Sequence, residues 1–518
     1  MAIDLGSSGV RAAVAEASLA SAPPLAVARV PLRSFRPPDG PELAREFDPA
    51  DIRRQVRLAV RSAVREAARS AGVRASGVAA VAVTGQREAI ALFDASGGTV
   101  YIGPNNDLRG AFEGAAIDDE HASLIWRATG HLPSFMLAWS KLAWFRQQAP
   151  ETYERAAHVT TLGDWLVHEL TGELRIERAL GVEAGLVELE SGEAATGLAA
   201  RLGLADIAIP KPVNAGDVAG PVRRRASEEF GIPEGATVVC AGPDSQAALL
   251  GMGVADPGAT GIVAGWSGVA QRVTGRPVLD PDRGLWSGRH VAPDRFVVEA
   301  NTGVMGGAYE WLVRLTSGGS AGSREYAAAD RAAGRKGRSD GSVSAHLGPA
   351  ALNMSRAGLQ AGGLIFPVPL ALDPPDAGAL CRAALENFAF AFRAGVEKLD
   401  ALVPHRTPGP GRHMFAVPNE RAVAPVHVGG GLTRNATFRR VLTDVLPCPV
   451  RFGSPDASLL GALTLGETAI EAVDFATALR GRATACRAVR PDPAAAEEYD
   501  GLYEQWRHRG DLLAQIGL

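Results

Sequence analysis

The chain has 518 residues, too many for a single hydrophobic core, so two large domains are expected. A composition 46% hydrophobic and 21% charged, with a net charge of −4 and no long basic run, argues against nucleic-acid binding and against an anionic membrane surface. The four cysteines (Cys240, Cys381, Cys448, Cys486) show no zinc-like or disulfide-framework spacing, and no long apolar run or leader pattern is present, so a cytoplasmic protein is expected.

In chain order, MAIDL reads as a buried strand, GSSG as a tight turn and VRAAVAEA as a returning strand, with PLAVARVPLRSF completing an antiparallel meander. The start is short, which leaves room for a start codon further upstream. Residues 51–72 carry helical spacing of Val and Ala among arginines and stop at a glycine. VAAVAVTGQ is a buried strand running into a polar loop, and IALFDASGGTV is a hairpin. SKLAWFRQQAPETYERA and GDWLVHELTGE read as helices. Residues 222–253 then give helix, turn, strand and helix.

GIVAGWSGVAQRVTG repeats the strand, small-residue turn and strand of the start, with Gly265–Val269 echoing Gly6–Val10 half a chain later. That is the pattern a duplicated two-domain protein would show. Residues 316–346 and 404–424 read as surface excursions. Between them lies a long amphipathic helix whose Leu385, Phe388, Phe392 and Leu399 read as core.

Four stretches could carry chemistry. The P-loop pattern is absent, and GSSG leads into a strand, which disfavours a Rossmann site. What remains at the start is a hairpin turn small enough for phosphate oxygens to reach backbone N–H groups, with Asp4 able to hold Mg²⁺ through water. An ordinary hairpin is the plainer alternative. In VVCAGPDSQAALLGMG a strand delivers Asp244 to the start of a helix, where it is either an N-cap or a general base for a hydroxyl. Arg87, Glu88, Asn106, Asp107 and Arg109 lie in loops after strands; alternating acids and guanidinium groups suit a polyol, and solvated loop charges are the alternative. In VHVGGGLTRNATFRRVLTDVL a strand ends in Gly429, Gly430 and Gly431, which allow close approach of a base or ribose, or else form a flexible connector.

Taken together and in this order, these stretches resemble the FGGY carbohydrate kinases over almost the whole chain. IDLGSSGVRAAV is similar to the first phosphate motif, TGQREAIALFD with NNDLRG to the sugar-loop region, and VAGWSGV to the second phosphate motif. GIPEGATVVCAGPDSQAALLGMGV carries the position of the catalytic Asp, VGGGLTRNATFRRVLTDVL is similar to the adenosine motif, and GSPDASLLGALTLG to the closing helix. The resemblance implies an α/β fold of two duplicated actin-like ATPase (ribonuclease H-like) domains with an interdomain cleft, divided as residues 1–240 and 241–518.

It also implies an ATP- and Mg²⁺-dependent kinase acting on a small sugar or polyol, with Asp244 as general base. Asp4, Gly6, Ser7 and Ser8 would face Mg²⁺ and the phosphates, Asp4 holding the metal through water. Gly265 and Ser267 would contact phosphates from the second domain, and Gly430, Gly431 and Asn435 would lie near adenosine. Arg87, Glu88, Asp107 and Arg109 would bind substrate. A homodimer stays open. Trp266 stands where the family usually has Thr, which removes a hydroxyl donor and supports the alternative of a catalytically impaired, sugar- or nucleotide-binding regulatory protein. GQRE resembles glycerol kinases and autoinducer-2 kinases, and VAGWSGVAQRV with the segment after it is similar to the autoinducer-2 branch.

Overall fold

A computed structural model describes residues 1–7, 9–17, 22–337, 343–348, 361–366, 374–404, 424–484 and 487–516. Ser8, Cys486, and most of the expected excursion at 404–424 lie outside the described residues. The chain forms two compact units, one of residues 1–255, 274–297 and 457–485, the other of 256–273, 298–456 and 486–518.

The first unit is built on a six-stranded sheet. Its strands are β1 (Ala2–Gly6), β2 (Gly9–Val14), β3 (Ala26–Pro31), β4 (Ala80–Gly85), β5 (Val218–Pro221) and β6 (Thr237–Pro243). The order across the sheet is β5-β6-β4-β1-β2-β3. The expected meander is present, with β1–β2 and β2–β3 antiparallel. Gly9 permits it, because a Cβ there would lie 2.6 Å from the Val30 carbonyl oxygen. Strands β1, β4 and β6 run parallel, with Leu5 and Pro243 each in register with Gly85. Their carboxyl ends therefore share one edge, where ligands of open α/β sheets bind. Residue 240, the expected end of the first domain, lies inside β6.

Alternation along these strands sorts side chains by size. Ile3, Leu5, Val81, Val83, Val238 and Cys240 face helix α1 (Pro49–Ala71), whose buried stripe is Ile52, Val56, Ala59, Val60, Ala63 and Ala67. Asp48 caps that helix through Ala50 N–H, and Gly72 ends it in the left-handed region. On the opposite face Ala2, Ala82, Val239 and Ala241 meet Leu459, Ala462 and Leu463. The small residues on that face leave room for a helix to lie close.

Three further helices of this unit matter for the site: α2 (Arg178–Glu183), α3 (Asp244–Gly251) and, after the second unit has intervened in the chain, the helix Ala457–Ala469. The last two cross on glycines. A Cβ on Gly251 would collide with the Ala457 carbonyl oxygen, and one on Gly461 with that of Ala247. Backbone-to-backbone packing of this kind fixes their separation. The hairpin Ile90–Phe93 with Thr99–Gly103 also forms as expected.

The second unit repeats the motif. Strands β7 (Thr260–Ala264) and β8 (Gly268–Thr274) form the expected hairpin. The sheet continues through β9 (Phe296–Gly303) on one side, and β10 (Val426–Gly429), β11 (Val450–Phe452) and β12 (Ala488–Val489) on the other. Among the strands of this unit the order is β9-β8-β7-β10-β11-β12, with β7–β10 and β10–β11 parallel. Helices α4 (Met305–Thr316), α5 (Ala377–Leu402) and α6 (Ala436–Val445) belong to this unit, and the helix Ala457–Ala469 that follows is α7 of the chain. Leu385, Phe388, Phe392 and Leu399 of α5 are fully buried, as expected. Among the described residues no helix is long and apolar enough to cross a membrane.

Candidate active site

Asp4 lies on β1 between Ile3 and Leu5, so its side chain points to the face covered by α7. It is fully buried. Its Oδ2 accepts from Arg11 Nη2 on the neighbouring strand and from Ser458 Oγ at 2.6 Å. Arg11 also donates to Ser458 Oγ at 3.0 Å. Asp4 Oδ1 is buried and has no hydrogen-bond partner among the described residues. Gly6 adds no side chain there; a Cβ on it would stand 3.8 Å from Oδ1. A spare carboxylate oxygen in a small-residue turn fits a hard cation that keeps most of its water. Among the described residues no group of three or more His, Cys, Asp or Glu side chains forms an all-protein metal cage. Ser7 accepts from Asn105 Nδ2 at 3.3 Å.

Asp244 follows β6 directly. The register of β6 shifts between Cys240 and Pro243, and Gly242 in that bulge has φ 71° while its carbonyl accepts from Thr84 Oγ1 at 2.8 Å. A bulge at a sheet edge re-aims the next side chain, here that of Asp244, the first residue of α3. Pro243, not Asp244, is the N-cap, and it makes no side-chain cap bond. Asp244 is half-buried. Burial, and next the negative charge of Asp4, push its carboxyl up to about 7 against the pull of Arg87 and Arg11. The acids at positions 4 and 244 therefore share one electrostatic environment.

Arg87 and Glu88 follow β4 at the same edge and are almost completely buried. Glu88 holds φ 55°, uncommon for a non-glycine residue and often found at functional sites. Arg87 Nη1 lies 3.1 Å from Glu183 Oε2, and its guanidinium sits 5.8 Å from the centre of the Trp286 ring. Asp107 and Arg109 are bound to each other: Arg109 Nε donates to Asp107 Oδ2 at 2.8 Å, and Tyr101 OH donates to the same oxygen. Asp107 Oδ1 accepts from Arg45 N–H at 2.9 Å. Arg109 also reaches Glu46 at 2.8 Å and packs against Tyr101, Trp144 and Phe145. Both side chains are thus engaged within the protein. Lys141 lies buried nearby, its Nζ donating to the Met136 carbonyl at 3.1 Å; burial lowers its pKa to about 8 despite Asp107 and Glu88.

In the second unit, Gly265 and Ser267 form the β7–β8 turn, where Gly265 N–H donates to the Ser267 carbonyl at 3.2 Å. The half-exposed Trp266 ring packs against α4: a Cβ on Gly307 would lie 2.9 Å from Cζ2 of the indole. Gly307 at that helix start accommodates the indole ring. Gly430 has φ 96°, and a Cβ there would lie 2.7 Å from the Ala264 carbonyl oxygen, so this position requires glycine. Gly431 faces open space apart from the tip of Arg434. Asn435 caps α6 by accepting from Phe438 N–H at 2.7 Å and donates to Tyr309 OH at 3.3 Å.

Sequence reasoning did not single out Arg11, Ser458, His131, Glu183, Gln246 or Trp286. Arg11, Ser458 and Gln246 sit inside stretches already quoted, so a strand or helix periodicity applied to Asp4 and Asp244 would have pointed to them. His131, Glu183 and Trp286 come from separate segments with no local signal.

The fold is a two-domain α/β architecture of the actin-like ATPase type, with a glycine-bearing hairpin opening the sheet of each unit. Two family models match the chain: the FGGY family of carbohydrate kinases, N-terminal domain, over residues 1–251, and the C-terminal domain of the same family over residues 261–470. The chain belongs to the FGGY family of carbohydrate kinases. It is similar to the autoinducer-2 kinase of Salmonella choleraesuis, 27% identical over 318 residues, 60% of this chain and 58% of that relative's length. Solved structures with the same fold include the xylulose kinase from Rhodospirillum rubrum (TM-score 0.77, 24% identity, 99% of this chain and 98% of that one). The gluconate kinase from Lactobacillus acidophilus superposes with a TM-score of 0.79 at 14% identity, over 99% of this chain and 98% of that one.

Proposed function

We propose that this protein transfers the γ-phosphoryl group of ATP to a hydroxyl of a small sugar or polyol, with Asp244 as general base. The observation that carries the reading is a half-buried carboxyl at the shared edge of parallel strands whose proton affinity is raised to about 7. Such a group is ionised in an appreciable fraction of molecules at neutral pH and still binds a proton well. Asp244 accepts the hydroxyl proton as the new oxygen–phosphorus bond forms and the bond to the ADP leaving group breaks.

Arg87, Glu88, Asp107 and Arg109 bind and orient the acceptor. Asp4, whose buried Oδ1 has no hydrogen-bond partner among the described residues, would hold Mg²⁺ through water. When bound, the cation offsets charge on the transferring phosphoryl group. The turn at Gly6, Ser7 and Ser8 serves the phosphates, as do Gly265 and Ser267. Gly430 and Gly431 supply a surface without Cβ atoms for adenosine, and Asn435 fixes the helix beside it. The names of similar proteins favour ketoses, aldonates, glycerol and autoinducer-2-like acceptors.

Calorimetric titration with Mg·ATP, followed by acceptor, tests the nucleotide half of the reading. Saturable heat with Mg·ATP that weakens when Mg²⁺ is chelated supports it; no nucleotide binding would favour the regulatory alternative.

A further inference from the structure

Glu183, at the end of α2, is 1% exposed, and its carboxylate gathers donors from three other segments. Oε2 receives Arg87 Nη1 at 3.1 Å and His131 Nε2 at 3.2 Å. Oε1 accepts from Gln246 Nε2 at 2.5 Å. Gln246 stands two residues after Asp244 on α3, and Ser245 Oγ donates to its Oε1 at 2.5 Å, which fixes the amide with its NH₂ toward Glu183.

The protonation of His131 follows from its partners. Nδ1 faces the Thr129 carbonyl at 2.8 Å and Nε2 faces a carboxylate, both acceptors, so each nitrogen must carry a hydrogen. Burial opposes that charge, and Glu183 outweighs it, leaving the His131 pKa raised. Burial likewise opposes an ionised Glu183, but Arg87 and then His131 hold its carboxyl below the usual range. Gly288 leaves the space this carboxylate occupies: a Cβ at that position would lie 2.6 Å from Glu183 Oε1 and 3.4 Å from Gln246 Nε2. With both oxygens engaged inside the protein, Glu183 acts through its neighbours.

We infer that Glu183 is the positioning residue that locks the acceptor-binding Arg87 to the helix carrying Asp244, through Gln246, so that acceptor and base are held in one geometry. The inference rests on the proposed kinase reading. It goes beyond that reading in tying substrate grip to the base by a buried carboxylate outside the motifs that resemble the family.

The test compares wild type, Glu183→Gln, Arg87→Gln and the double variant. The acceptor is whichever of D-xylulose, D-ribulose, D-gluconate, glycerol or the autoinducer-2 precursor the wild type phosphorylates fastest, and KM and kcat are measured for acceptor and ATP separately. Glu183→Gln should raise the acceptor KM by about tenfold or more, with the ATP KM within about twofold of wild type. Adding it to Arg87→Gln should cost less than about twofold further, because the two act as one unit.

Gln246→Ala, which deletes the hydrogen bonds to Glu183 and from Ser245 and leaves the Arg87–Glu183–His131 cluster in place, guards against a misfolded Glu183 variant. It should lower acceptor kcat/KM several-fold without moving the ATP KM. Unchanged acceptor kinetics in Gln246→Ala and in folded Glu183→Gln would overturn the inference, as would losses that multiply fully in the double variant. Either result leaves the kinase reading standing. A wild type that phosphorylates none of the acceptors removes the kinase reading and this inference together.

Discussion

Replacing Asp244 by Asn should cut turnover about a hundredfold or more and stabilise the fold at once. Burial, and next the negative charge of Asp4, push the native carboxyl up to about 7 from an ordinary value of 3.8. About three pKa units correspond to roughly 4 kcal/mol of unfavourable ionisation in the native state. Water reaches one side of this half-buried group, so about 2 kcal/mol is the gain expected when the charge is removed. The strain is complete above the native value of about 7, shrinks as pH falls, and is gone below 3.8, where both states are protonated.

Melting curves of wild type and Asp244→Asn at pH 8, 6, 5 and 3.5 read this directly. The variant should melt about 2–3 °C above wild type at pH 8, with the gap closing steadily toward pH 3.5. Its turnover at pH 8 should fall by about 10² or more, the range for a lost general base. A variant within tenfold of wild-type turnover, or a stability difference that does not change with pH, would refute the reasoning.

Ser458→Ala removes the 2.6 Å bond to Asp4 Oδ2, leaving that oxygen held by Arg11 without its second donor. A charge-assisted bond of about 1.5–3 kcal/mol is at stake, so Mg·ADP affinity by calorimetry should drop about tenfold or more while metal-free ADP affinity barely moves. Gly461→Ala places a methyl against the Ala247 carbonyl oxygen, where backbone meets backbone. It should cost about 3 kcal/mol or more in chemical denaturation and lower the soluble yield.

The meander, both glycine-bearing hairpins and the long α5 were legible because hydrophobic period and turn residues are local signals. Asp244 was legible as a position, since an apolar strand running into an Ala/Leu helix leaves an intervening acid at the sheet edge. Its tuned proton affinity was not, because Asp4 approaches it only through the parallel register of β1, β4 and β6. Asp107 and Arg109 read as exposed loop polars or ligand contacts, whereas the fold buries them as a mutually bonded pair among aromatic rings. Glu183 and His131 lie in segments whose local pattern is ordinary, and only tertiary contact gives them meaning. The interleaving of units was also illegible, since α7 returns from the far end of the chain to cover Asp4.

The central claim is phosphoryl transfer to a carbon-bound hydroxyl. Wild-type protein incubated with Mg²⁺ and ATP labelled in its γ-phosphate, together in turn with D-xylulose, D-ribulose, D-gluconate, glycerol or the autoinducer-2 precursor, reports it directly. The account predicts label in the phosphoester of at least one acceptor, in equal amount to ADP formed and appearing about a hundredfold or more slower with Asp244→Asn. Label confined to ATP and inorganic phosphate with every acceptor would contradict it.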